Sequence, residues 1–229
     1  MMVRLVHFRR GFLLIVGAAG AAFVLWILTR SGAALWKDPA SQFPMPVPGT
    51  DLVILQMLPY TGEYLESAPT DMVSELAAIC LKNTGTKPIR FASVKLSTQA
   101  GAYTFQVDML PPSMGVIVLE IDRQPYSDAT ITACNGFQET DNSHWLTTSL
   151  ILAPQDNHNL AITNPTGTTI RDVTIYYKYY LPENDLLLGG IVYTYRVGDI
   201  RPGETIFVWP YRFLQGWSWI LHVESGNEY

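Results

Sequence analysis

Charge is scarce in this sequence: 15% of its 229 residues are Asp, Glu, Lys or Arg, where about 25% is usual. Basic residues are scarcer still beyond the start. Four of the fifteen Lys and Arg lie at or before Arg30, and all twenty Asp and Glu lie after it, so residues 31–229 carry a formal charge of −9. No basic face exists to neutralise phosphates, which excludes sequence-independent nucleic-acid binding. There is no G-x-S-x-G elbow, no phosphate-binding P-loop, no H-E-x-x-H and no C-x-x-C. The expectation is therefore a protein that is not an enzyme and takes no cofactor. After residue 50 no stretch keeps a helical period either, which leaves strands.

What the chain does have begins at its N-terminus. Gly11 to Thr29 are nineteen residues without a charge, enough helix to cross about 30 Å of hydrocarbon. Arg4, Arg9 and Arg10 crowd one flank, while Arg30 and Lys37 are all the other carries. The positive-inside rule then places residues 1–10 in the cytoplasm, 11–29 across the membrane and the remainder outside. A secretory signal cut after Ala33 has the same basic start and would leave the remainder secreted. The length of the apolar run favours the retained single-pass anchor. Residues 30–50, with Pro39, Pro44, Pro46 and Pro48, read as an extended stalk, because proline fixes φ and removes a donor.

The rest of the chain is written twice. "NTGTKPIRFASVKL" lies over "NPTGTTIRDVTIYY" at an offset of 81, matching Asn83 with Asn164, and "YTFQVDMLPPSMGVIVLE" lies over "YTYRVGDIRPGETIFVWP" at an offset of 90. The second alignment holds five identities in eighteen positions, against roughly one expected from ordinary residue frequencies. A duplicated unit of this length is a domain-sized repeat. Apolar residues at Ala92, Val94 and Leu96, and at Val173, Ile175 and Tyr177, alternate with a period of two, as half-buried strands do. The predicted architecture is all-β: two tandem immunoglobulin-like antiparallel sandwiches, over 51–140 and 141–229, preceded by one transmembrane helix.

The order of strand, N-x-x-G, strand, strand, L/I-x-P-G and strand resembles bacterial immunoglobulin-like modules of the CARDB and FxLYD kind. Asn83, Gly85 and Pro112 carry the resemblance in the first unit, and Asn164, Gly167, Pro202 and Gly203 in the second. The first unit departs from it with Ser113 after Pro112, the second with Pro165 after Asn164. What the resemblance implies is an interaction or spacer domain at the cell surface, with no shared catalytic residues.

Candidate site residues follow from the differences between the copies. The second unit gains nine residues within Leu181–Gly190, carrying Leu186, Leu187 and Leu188 toward a hairpin tip, where they tuck onto their own sandwich or meet a partner. It is also the aromatic unit. Alternation sends Tyr177 and Tyr179 inward and Tyr176 and Tyr180 outward beside Lys178; together with Trp209 these offer a protein contact or a sugar-stacking surface. Asp141, His144, Asp156 and His158 between the units would hold a metal only if their loops converge, and read more simply as turn chemistry. Register also bears on the cysteines. With Ile79, Leu81, Ile131 and Ala133 inward, Cys80 and Cys134 fall on outer faces of opposite sheets, which argues against a disulfide. The function expected is that of an extracytoplasmic interaction or scaffolding protein of the cell envelope with a protein partner, the alternative being a glycan or cell-wall binding module.

Overall fold

The computed structural model describes residues 42–67, 71–141, 145, 148–156 and 158–226. The expected cytoplasmic segment 1–10, the membrane span 11–29, stalk residues 30–41 and His144 lie outside the described residues. Within them no helix is long and apolar enough to cross a membrane.

Among the described residues thirteen strands form the fold: β1 (Met45–Pro46), β2 (Leu52–Glu63), β3 (Met72–Asn83), β4 (Ile89–Thr98), β5 (Ala102–Leu110), β6 (Gly115–Leu119), β7 (Ile131–Thr140), β8 (Ile151–Pro154), β9 (Leu160–Thr163), β10 (Ile170–Leu181), β11 (Leu186–Ile200), β12 (Thr205–Val208) and β13 (Ser218–Glu224). The chain is all-β. One seven-stranded sheet runs β1-β2-β3-β6-β11-β10-β13, and two three-stranded sheets run β12-β9-β8 and β5-β4-β7. Every pairing is antiparallel except that of β6 with β11.

Sequence pattern explains where each strand sits. On β4, Ala92, Val94 and Leu96 are fully buried while Arg90 and Lys95 are exposed, the alternation of a strand with one dry face. On β3 every residue from Leu76 to Cys80 and Leu81 is buried, and on β6 all five are, as continuous apolar runs buried on both sides require. Ile79, Leu81, Val116 and Val118 point into a core shared with Val94, Phe105 and Val107 of the β5-β4-β7 sheet. Their neighbours Leu76, Ala78, Ile117 and Leu119 join Leu58, Tyr60, Tyr64 and Leu188 on the other side. A third cluster places Ile175, Tyr177 and Val223 against Leu160, Ile162 and Val208. Pairing of Ile117 with Leu188 and of Leu188 with Tyr179 puts the second and third clusters on the same face. The two small sheets therefore cover opposite faces of one shared central layer.

The repeat reappears as hydrogen bonding. Asn83 and Asn164 are both wholly buried. Asn83 Nδ2 donates to the carbonyls of Lys87, Leu110 and Pro111, and its Oδ1 accepts from Gly85 N. Asn164 Nδ2 donates to Thr168 and Ile200, and its Oδ1 accepts from Thr166 N. Lys87 and Thr168 differ by the offset of 81, and Leu110 and Ile200 by the offset of 90. Each asparagine thus ties the loop that follows it to the strand that returns ahead of the proline turn. The turns match as well: Ser113 adopts φ 63° where the second copy has Gly203 at 69°.

Two expectations are corrected. The stalk does not extend to residue 50, because β1 pairs with β2 and Val47 is buried in the first core beside Gly136. Cys134 also points inward, not out. A register shift between the Ser97–Ala133 and Thr98–Ile131 pairs pushes Thr132 out of the ladder, so that Cys134 packs on the first core opposite Leu96 and Ala133 is exposed. Cys80 alternates away from Ile79 and Leu81, on the face of β3 that points away from that core. Both thiols are free, and burial pushes Cys80 up to about 11.

Asn83→Ala and Asn164→Ala each orphan buried carbonyls and are expected to cost about 2–4 kcal/mol in denaturant unfolding. Ser113→Gly, by contrast, should raise stability by about 1 kcal/mol, because only glycine holds a positive φ without strain. A neutral or destabilising result at Ser113 would contradict that account of the turn.

Candidate functional site

Leu186, Leu187 and Leu188 form no hairpin tip open to a partner. They pair in parallel with Gly115, Val116 and Ile117 of β6, and Leu187 and Leu188 are buried. The segment gained by the second copy thus joins the two halves of the chain into a single sheet. Three apolar residues in a row, without alternation, suit a strand covered on both faces.

Immediately beyond, β11 leaves β6 and bulges away from β10. Leu188 is opposite Tyr179 and Tyr193 is opposite Tyr177, so Gly189–Val192 face Lys178 alone. That wide bulge leaves peptide groups without a ladder in the interior, where unpaired groups are costly. Two charged side chains replace the ladder. Lys178, with no exposed surface, donates from Nζ to the carbonyls of Gly189 (3.1 Å) and Gly190 (2.6 Å). Glu66 accepts from Gly190 N at 2.8 Å through each oxygen, from Ile191 N at 3.1 Å and from Leu119 N at 3.0 Å. Gly190 admits no side chain, since a Cβ there would lie 1.9 Å from the Gln106 carbonyl. Burial pushes the Lys178 ammonium down, opposed by Glu66 and Asp108. Burial likewise pushes the Glu66 carboxyl up, opposed by its backbone donors and Lys178. Arg212 adds a second tie across the seam by pairing with Glu63, and donates to Tyr193 Oη at 3.0 Å.

The outward strand face that carries Tyr176 and Tyr180 is thus partly roofed. Both rings pack on the first core; Tyr180 donates to Asp185 and lies 4.8 Å from the Trp219 ring, between centroids. Tyr176 sits in a cleft of about 490 Å³ between β4–β5 and the ends of β10 and β13, with Arg90, Asp108, Asp141, Trp145, His222 and Glu224 around it. Its hydroxyl donates to Glu224 at 2.5 Å, and its ring lies 5.6 Å from that of His222. Trp209 lies elsewhere, 63% exposed, just past the end of β12. No family model matches the chain, and no curated protein does.

Among the described residues no three His, Cys, Asp or Glu stand close enough to hold a metal ion. Asp156 accepts from the backbone of His158 and Asn159, which is turn chemistry. His158 contacts the Phe213 carbonyl through Nδ1, and Asp141 accepts from the Trp145 indole. Sequence reasoning missed Lys178 and Glu66. A lysine between tyrosines on an alternating strand reads as solvated, and what covers it comes from a parallel pairing with no local signature. The one available signal was the absence of alternation at Leu186–Leu188.

Lys178→Met should destabilise the protein by about 3–5 kcal/mol in guanidinium unfolding followed by Trp fluorescence, because it strands Glu66 and two carbonyls in the interior. The double change Lys178→Met, Glu66→Gln should cost less than the two single losses added together. Strict additivity would mean that the two side chains do not act on the same bulge.

Proposed function

We propose that this chain is a non-enzymatic interaction protein of the cell envelope, anchored by residues 11–29 and holding two tandem immunoglobulin-like units outside the membrane. The buried asparagines at equivalent positions, the like turns at Ser113 and Gly203, and a small sheet flanking each half support the tandem reading. The basic N-terminal flank and the uncharged run after it support the anchor.

One observation carries the choice of contact face. Strands β8, β9 and β12 contain no charged residue, in a chain whose outer part carries a formal −9. On their outward side Ile151 is 54% exposed and Phe207 55%, and the alternation continues past the strand to Trp209 at 63% and Tyr211 at 65%. Thr163 and Thr205 bond to each other at 2.8 Å on the same face, satisfying one another's hydroxyls. Large exposed apolar groups gathered on an uncharged sheet are what a protein contact buries. The partner is accordingly a protein with an apolar, uncharged surface on the same side of the membrane. A glycan is the second reading, favoured by the exposed flat rings of Trp209 and Tyr211.

Photo-crosslinking of the full-length chain in its native membrane, with the probe at Thr205, should capture one discrete protein. Phe207→Ser with Trp209→Ser should abolish that capture and leave the thermal midpoint within a few degrees of the parent. Loss of retention on cell-wall polysaccharide, with protein capture intact, would instead establish the glycan reading. If the pair of changes alters neither, the face is not a contact surface.

A further inference from the structure

The cleft beside the seam is separate from that face and serves none of the structural roles assigned above. Its volume of about 490 Å³ lies within the range of small-molecule sites. One wall is Arg90, Asp108 and Met109 on β4 and β5; the other is Tyr176, His222 and Glu224 on β10 and β13, with Trp145 beside His222. Three carboxylates face one guanidinium, so the lining is net negative and repels anions.

Two of the three carboxylates are oriented by the polar atom of an aromatic side chain. Tyr176 Oη donates to Glu224 Oε2 at 2.5 Å and Trp145 Nε1 to Asp141 Oδ2 at 3.1 Å. Neither Asp108 nor Glu224 has a cation within ion-pair distance among the described residues. Two rings flank His222, Tyr176 at 5.6 Å and Trp145 at 6.5 Å between centroids. The imidazole Nδ1 is itself buried and has no hydrogen-bond partner among the described residues, the kind of unmet polar group that calls for an explanation.

The spacing of the carboxylates decides the class of cation. They are too dispersed to share one metal ion, which demands donors within about 2.0–2.6 Å of a single centre. A cation that touches several of them must carry its charge on a larger body, and the ring faces favour one with apolar substituents. We propose that this cleft binds an organic ammonium ion, an amine or quaternary nitrogen carried on a small apolar group.

Titration of the full-length protein in detergent, followed by ligand-observed NMR, tests this with three probes of one size: n-butylammonium, neutral n-butanol and anionic butyrate. Saturable binding is expected for n-butylammonium alone. Glu224→Gln and Trp145→Ala should each weaken it roughly tenfold or more, while Phe207→Ser with Trp209→Ser should leave it unchanged, which separates this site from the protein-contact face. Tyr176→Phe provides a variant that keeps the ring and removes only the donor that orients Glu224; severalfold weakening is expected. Equal binding of n-butanol or butyrate, no saturable binding of n-butylammonium, or binding indifferent to Glu224 and Trp145 in folded variants would each overturn the proposal.

Discussion

A short run of backbone at the centre of the molecule has no strand to bond to, and much of the structure is arranged around that fact. Gly189–Val192 stand off from β10 in a bulge that directly follows the three residues of β11 held between β6 and β10. Their peptide groups are in the interior, where water cannot satisfy them. Lys178 and Glu66 do so instead, one from each half of the chain, on opposite edges of the Gly189–Gly190 peptide. One buried and one half-buried charge are an expensive way to complete a ladder. Each is tolerable because the other's field and several hydrogen bonds offset its desolvation.

The same seam sets the layout of the surfaces. With one central layer common to both halves, the β5-β4-β7 sheet covers one face and the β12-β9-β8 sheet the other. The cleft around Tyr176 and His222 opens beside the first of these, and the uncharged face of Ile151 and Phe207 is the outside of the second. The two candidate recognition surfaces are thus on opposite sides of the layer, and occupancy of one leaves the other accessible.

Much of this organisation was legible in the sequence where a single face decided the matter. Ala92, Val94 and Leu96 are buried as their alternation requires, and so are Val173, Ile175 and Tyr177. The paired asparagines and proline turns align between the copies because each performs a local task twice. What escaped was whatever depends on a second covering layer. Lys178 alternates correctly to the far face, but that face is roofed. Leu186–Leu188 stand out as an insertion, yet nothing nearby in the chain announces β6 as their partner. Cys134 lies on the face opposite to the one simple alternation gives it, because one extra residue at Thr132 reverses inside and outside from there on, and Met45–Val47 form a strand because prolines suit an edge strand as well as a stalk.

The parallel pairing also has a consequence in time. Gly115 and Leu186 are 71 positions apart, whereas the hairpin of β4 and β5 closes across three residues, from Thr98 to Ala102. Chain entropy makes the distant pairing the slower to form. Until it does, β6 offers a free edge of five residues, Gly115–Leu119, none of them polar, which is the kind of segment that pairs with other copies of itself. Docking of the inserted leucines covers that edge over Gly115–Ile117, so the segment that separates the second copy from the first also shields an apolar strand from self-pairing.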